Sequence, residues 1–195
     1  GLNAVAEILN GTVNPSGSLV DTYCYDNYSS PAMQNFSTVV YEGDTTQIPA
    51  HADTYMIYQE GIYVGYKYYE TRYEDFVMGT GNAGSYAYSD DVAFPFGYGL
   101  SYTTFEYSNM SYEYNKDAQT YTIKVTVTNT GDVAGKEAVQ IYVQSPYTQY
   151  DIDNKVEKAS VQLVGFEKTG ILEKNGGSEV LTITIDGDYV ASYDA

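Results

Sequence analysis

Across the second half of the chain, apolar and polar residues alternate one by one. Tyr121, Ile123, Val125 and Val127 alternate with Thr122, Lys124, Thr126 and Thr128, and Val139, Ile141 and Val143 with Gln140, Tyr142 and Gln144. Leu181, Ile183 and Ile185 alternate with Thr182 and Thr184. A period of two belongs to strands with one buried and one wet face. The pattern predicts strands at about 106–113, 120–128, 137–144, 160–166 and 179–185, with Gly165 marking a bulge in the fourth. Turn clusters at Asn129–Asp132, Asn175–Ser178 and Asp186–Asp188 separate them. Short alternating strands divided by turns predict an antiparallel β-sandwich.

The first half has a different rhythm. Leu2, Val5, Ala6 and Leu9 follow the i, i+3, i+4, i+7 spacing of one helix face, with Gly11 placed to stop the helix. A helix that opens at residue 2 without a capping residue predicts a segment cut from something longer. A turn at Asn14-Pro-Ser-Gly17 follows, then a short strand within Leu19–Tyr25. Residues 26–52 read as irregular, with one strand at Ser37–Tyr41. From Tyr58 to Thr71 the signals conflict, because Gly61 and Gly65 interrupt a helix while Ile62, Val64, Tyr66 and Tyr68 alternate. The expectation there is a loop followed by a strand or a short helix.

Between the halves lies Phe94-Pro-Phe-Gly-Tyr-Gly-Leu-Ser-Tyr-Thr-Thr-Phe-Glu-Tyr107. Pro95 fixes its own φ and biases Phe94 to an extended conformation, while Gly97 and Gly99 permit close backbone approach. Such a run reads as a pinned crossover between two kinds of structure. It resembles a hallmark of glycoside hydrolase family 3, the β-glucosidase and β-xylosidase family. Three more stretches resemble that family in the same order: Ala6–Gly17, Tyr58-Gln-Glu-Gly-Ile-Tyr-Val-Gly-Tyr-Lys-Tyr-Tyr-Glu70, and Asn129-Thr-Gly-Asp-Val-Ala-Gly-Lys-Glu-Ala-Val-Gln-Ile-Tyr-Val143.

The resemblance implies a mixed fold. Residues 1–105 would be the C-terminal portion of an α/β sandwich domain, and residues 106–195 a fibronectin type III-like β-sandwich lacking its last strands. It implies a parent O-glycosyl hydrolase of the retaining β-glucosidase kind, acting on β-linked oligosaccharides or glucosides. The aspartate nucleophile would lie in a TIM-type barrel, which alone takes about 250 residues. This chain would scaffold that barrel and border its sugar entrance. Alone it is expected to be inactive, and no residue in it is assigned as catalytic, cofactor-binding or metal-binding. The rival expectation is a stand-alone carbohydrate-binding or adhesion module that uses exposed tyrosines. Open sheet edges predict pairing with another chain, for example as a homodimer.

Composition sharpens this reading in places. A net charge of −17 with nine Lys plus Arg argues against a nucleic-acid or anionic-membrane partner. No signal-peptide pattern or transmembrane-length apolar run is present, so the sequence leaves the compartment open. Tyrosine stands out at 24 residues, against no tryptophan; the options are stacking on sugars or packing at domain interfaces, and packing is the expectation. Four Asn-x-Ser/Thr sequons fall at Asn10, Asn27, Asn35 and Asn109. Glu60 invites a catalytic reading but is expected to be a structural carboxylate, and an ion pair with Lys67 is one option for it. Gly79-Thr-Gly-Asn-Ala-Gly84 matches a dinucleotide fingerprint, yet no apolar helical face and no properly spaced acid follow it. Cys24 and His51 are the only cysteine and histidine and are not expected to pair. Asp151-Ile-Asp-Asn154 is expected to be a solvated loop rather than a calcium site.

Overall fold

The computed structural model describes residues 1–42, 54–81 and 83–191. In chain order these form helix α1 (Leu2–Leu9), strands β1 (Tyr23–Cys24), β2 (Val39–Val40) and β3 (Thr54–Tyr55), and helices α2 (Tyr66–Met78) and α3 (Tyr88–Asp91). Strands β4 (Val92–Phe94), β5 (Phe105–Asn115), β6 (Thr120–Asn129) and β7 (Ala138–Gln144), helix α4 (Gln149–Asn154), and strands β8 (Val161–Lys168) and β9 (Ser178–Asp186) follow. Two compact units result: one comprises Gly1–Val20, Phe96–Val156 and Val161–Ala195, the other Asp21–Pro95 and Glu157–Ser160.

The first unit is β-rich. β5, β6 and β9 form an antiparallel sheet in the order β5-β6-β9, and β7 pairs antiparallel with β8. All five strands lie where alternation placed them. Register sets Ile123 beside Ile183, Val125 beside Leu181 and Tyr121 beside Ile185. The inward side chains of both sheets meet in one core of Ile123, Val125, Val127, Val139, Leu172, Leu181, Ile183 and Ile185. Burying each such aliphatic group contributes about 1.5–3 kcal/mol. The bulge expected at Gly165 is present. Ile141 pairs with Gly165 and Tyr142 with Leu163, so Val164 is the extra residue. A Cβ on Gly165 would come within 2.8 Å of Ile185 and 3.0 Å of Ile183, which is why glycine stands there.

A second bulge was not expected. Ser108 pairs with Thr126 and Ser111 with Lys124, so Asn109 and Met110 oppose one residue, and Asn109 takes φ 51°. The bulge resets the face of β5. Tyr107, Tyr112 and Tyr114 then all pair with inward residues of β6, namely Val127, Ile123 and Tyr121.

The crossover is pinned from Phe96 onward. Gly97 donates its N–H to the Leu19 carbonyl, Leu19 donates to Tyr98, and Ser18 bridges Gly99. Asn14 is the clamp. Its Nδ2 donates to the Ala134 carbonyl at 3.0 Å, while its Oδ1 accepts from the Tyr102 N–H and the Ser101 hydroxyl. The Tyr102 hydroxyl donates to the Ile8 carbonyl at the end of α1. A Cβ on Gly99 would fall 2.6 Å from the Gly17 carbonyl, so the close approach needs glycine.

The second unit is irregular. β1 pairs with β4 and β2 with β3, each ladder only two or three residues long. The strand expected within Leu19–Tyr25 shortens to β1, and the one at Ser37–Tyr41 to β2. The conflict over Tyr58–Thr71 resolves as a turn at Gly61 and a helix from Tyr66 that runs 13 residues, longer than expected. Gly65 caps it at φ 57°, and Gly79 ends it in the left-handed conformation. The apolar Phe76-Val77-Met78 is therefore the last turn of a helix.

Candidate functional site

Five tyrosines of the second unit, Tyr68, Tyr69, Tyr73, Tyr86 and Tyr88, pack on or around α2. Tyr68 and Arg72 are four residues apart and therefore neighbours on the helix. The Arg72 guanidinium lies 5.5 Å from the Tyr68 ring centre and 5.1 Å from that of Tyr86, and it donates to the Ala83 carbonyl at 3.1 Å. Arg72 is the only arginine in the sequence. Its Nε and the Tyr86 hydroxyl are buried without a hydrogen-bond partner among the described residues. Tyr69, 3% exposed, shares a hydrogen bond with the Ser29 hydroxyl at 3.1 Å. Rings meet edge to face at Tyr68–Tyr69 and Tyr73–Tyr88, which is packing geometry and not a flat sugar platform.

Two carboxylates are engaged by tyrosines. Tyr88 donates to Glu70 in the second unit and Tyr107 to Glu137 in the β-rich unit, each at 2.6 Å. Burial, then the adjacent carboxylate, pushes both phenols above their ordinary range. Tyr69 is pushed up to about 12, chiefly by burial and next by the Cys24 thiol beside it. Tyr86 is raised by burial and by the Asp91 charge. Neither tyrosine–carboxylate contact joins two carboxylates, and retaining glycoside hydrolysis needs two carboxyl groups about 5–5.5 Å apart.

The other residues marked in the sequence take structural places. Glu60 is half-buried in the turn before α2, and its carbonyl accepts from the Tyr63 N–H. The ion pair open to Glu60 and Lys67 does not form. Gly79 and Gly81 shape the turn after a helix, whereas a dinucleotide fingerprint follows a strand. A Cβ on Gly81 would fall 2.6 Å from the Asp75 carboxylate. The solvated loop expected at Asp151–Asn154 is corrected: these residues belong to α4. Asp151 is 2% exposed and closes a capping box with Thr148. Among the described residues no cluster of His, Cys, Asp or Glu could hold a metal ion. His51 lies outside the described residues.

Arg72 escaped the sequence reading, which placed Asn129 only at the start of a turn and of a family-like stretch. Asn129 is fully buried. Its Oδ1 accepts from the Thr103 hydroxyl and the Gly131 N–H, and its Nδ2 donates to the carbonyls of Val133 and Leu172. Its position ending an alternating strand at an apolar-phase site was the available signal.

No family model matches the chain. A β-glucosidase of Ruminococcus albus is 37% identical over 194 residues, covering 100% of this chain and 16% of that protein. An exo-α-(1→6)-L-arabinopyranosidase of Bifidobacterium breve is 35% identical, covering 94% of this chain and 19% of its own length. The crystal structure of a β-glucosidase from Paenibacillus barengoltzii superimposes with a TM-score of 0.71 at 34% identity, covering 98% of this chain and 17% of that one. The GH3 β-glucosidase of Bifidobacterium adolescentis superimposes with a TM-score of 0.69 at 30% identity, covering 96% and 22%. The chain thus spans about a fifth of the length of the relatives it matches. It is homologous to a segment of β-glucosidases of the glycoside hydrolase family 3 type.

Proposed function

We propose that this chain serves as a non-catalytic part of a retaining β-glycosidase, supporting a catalytic barrel carried elsewhere in the parent protein. One observation carries the reading. Relatives named for different activities, a β-glucosidase and an arabinopyranosidase, match this segment at 37% and 35% identity. A segment shared so evenly suits a common scaffold better than a sugar-specific pocket. The carboxylates Glu70, Glu137 and Asp151 support it, since each is held by a tyrosine or a helix cap. So does α1, whose Leu2, Val5 and Leu9 are 88, 53 and 78% exposed and present an apolar face for a further element of the parent.

In this reading residues 1–105 are the end of the α/β sandwich domain and residues 106–195 a fibronectin type III-like sandwich without its last strands. Two antiparallel sheets that share one aliphatic core support the second assignment. The test is release of nitrophenol from aryl β-glucoside and β-xyloside. A retaining mechanism requires a carboxylate beneath the anomeric carbon, so the chain alone is expected to give no turnover. Adding the separately produced remainder of the parent is expected to restore it. Turnover by this chain alone that survives repurification and is abolished by Glu60→Gln overturns the reading.

A further inference from the structure

Asparagine is followed by glycine at Asn10-Gly11 and at Asn175-Gly176, and nowhere else in the chain. A glycine has no side chain to shield its backbone nitrogen. That nitrogen can attack Cγ of the preceding asparagine and close a five-membered ring. The N–Cγ bond forms and the Cγ–Nδ2 bond breaks. The glycine amide proton and the side-chain amide group leave together as ammonia. Water then opens the succinimide to aspartate or isoaspartate. The backbone must rotate to bring the nitrogen to Cγ, so a glycine held by a hydrogen bond reacts only when that bond opens.

The two glycines are held very differently. Gly176 donates its N–H to the Asn129 carbonyl at 2.8 Å, and Asn175 donates to the Gly131 carbonyl at 2.8 Å. Asn129 is fully buried, and its own N–H donates to the Gly177 carbonyl where β9 begins. Its side chain joins Thr103, Gly131, Val133 and Leu172. Freeing Gly176 therefore means opening the end of the β6–β9 ladder. Gly11 has only ties at the end of α1. Its N–H donates to the Ile8 carbonyl at 3.0 Å, an acceptor it shares with the Tyr102 hydroxyl. The Asn10 side chain accepts from the Thr12 N–H, and the Val13 N–H donates to the Glu7 carbonyl. α1 has no buried residue, and both Asn10 and Gly11 are exposed. Exposed helix ends of this kind fray readily.

We propose that Asn10 is a site of spontaneous deamidation, converted with water to aspartate or isoaspartate, and that Asn175 in the same dipeptide is shielded by its anchorage on Asn129. The new carboxylate lies at the C-terminal end of α1, where the last carbonyls already carry partial negative charge. Isoaspartate also routes the backbone through the side chain and lengthens it just before Gly11. Both changes loosen the end of α1.

The 195-residue chain is incubated in warm, mildly alkaline buffer, and both dipeptides are followed by peptide mapping, with electron-transfer fragmentation to separate aspartate from isoaspartate. In the native chain Asn10 is expected to convert at least about tenfold faster than Asn175, because a helix end opens more readily than a ladder. In urea, where both sites are open, the two rates are expected to converge. A native ratio near one, a faster Asn175, or a ratio that persists in urea overturns the inference. So does an Asn10 that stays intact in the native chain while it converts in urea. Asn129→Ala is expected to speed Asn175 at least about tenfold and to leave Asn10 unchanged. Should that variant not fold, Thr103→Val removes one bond to Asn129 and is expected to speed Asn175 about fivefold. An unchanged Asn175 in the folded variant overturns the shielding. Asn10→Asp is expected to speed hydrogen exchange of the α1 amides about twofold to fivefold. Unchanged exchange overturns the loosening of α1.

Discussion

In the β-rich unit the buried apolar side chains are mostly aliphatic: Ile123, Val125, Val127, Val139, Leu181, Ile183 and Ile185 among them. In the unit that holds α2 they are Tyr69, Ala83, Tyr86 and Val92. The first is closed by side chains without polar atoms and needs only a regular register to bring them together. The second is closed by tyrosine rings around one guanidinium, and each ring carries a hydroxyl that burial must accommodate. Stability in the first is set chiefly by hydrophobic area, with Asn129 as a buried polar hub and the Tyr107–Glu137 contact beside it, and in the second more by protonation and hydrogen bonding. The contrast can be broken by pH and sharpened by substitution.

The largest effect is expected from alkali. A buried tyrosine whose pKa is raised above its unfolded value of about 10 binds a proton in the native state that the unfolded state has lost. The native state holds more protons, so stability falls as pH rises above about 10. For Tyr69 the contribution is fully present below pH 10 and is lost through about 12. Tyr86 and Tyr88, also raised by burial, act in the same direction from about pH 10 upward and over a wider span than Tyr69, as does Tyr107 in the β-rich unit. Amide exchange at pH 11 to 12 is expected to show loss of protection in residues 66–78 while residues 120–129 stay protected. Simultaneous loss in both would remove the distinction.

Next comes Asn129→Ala in the β-rich unit. The substitution leaves the Thr103 hydroxyl, the Gly131 N–H and the carbonyls of Val133 and Leu172 without their side-chain partner. Unsatisfied buried polar groups cost about 1–3 kcal/mol each, and some of these will find substitutes, so a loss of about 3–4 kcal/mol is expected. The urea midpoint measures it. A loss below about 1 kcal/mol would mean that this polar hub is not needed beside the aliphatic core.

What was legible in the sequence follows the same division. Tyr121 to Val127 announced a strand because each inward residue is apolar and each outward one is not, and period two has only one geometric meaning. The bulge at Gly165 was legible because glycine inside an apolar run needs a backbone reason. The bulge at Asn109–Met110 was not, since neither residue breaks the pattern by composition. Helix α2 was half hidden: Tyr66 and Tyr68 continue the alternation of Ile62 and Val64, while Tyr66, Tyr69 and Tyr73 fit the face of a helix. Tyrosine is ambiguous in this way because its ring packs and its hydroxyl does not. The Glu70–Tyr88 and Glu137–Tyr107 contacts join residues 18 and 30 positions apart, a distance at which no local pattern operates.

A smaller effect is expected from Arg72→Met, which keeps the length of the side chain and removes its charge. Lost are the contacts with the Tyr68 and Tyr86 rings and the bond to the Ala83 carbonyl. Partly offsetting this, the buried Nε no longer needs a partner. The expected loss is about 2 kcal/mol, read from chemical denaturation at pH 7. A gain in stability would show that the buried guanidinium costs more than its rings return.

The smallest substitution is the sharpest, because its sign should change with pH. Tyr69→Phe removes one hydroxyl, its hydrogen bond with Ser29 and its contact with the Cys24 thiol, and keeps the ring. At pH 7 it is expected to cost about 1 kcal/mol, the ordinary contribution of a hydrogen bond. Phenylalanine does not ionise, so the variant escapes the decline that begins near pH 10 in the unmodified chain. The two stability curves are therefore expected to cross between pH 10 and about 12, with the variant the more stable above the crossing. Parallel curves up to pH 12 would mean that Tyr69 titrates alike in the folded and unfolded states, and would assign the alkaline loss to Tyr86 and Tyr88. A crossing restricted to residues 66–78 in amide exchange would tie the effect to the tyrosine-lined unit and leave the aliphatic one indifferent to it.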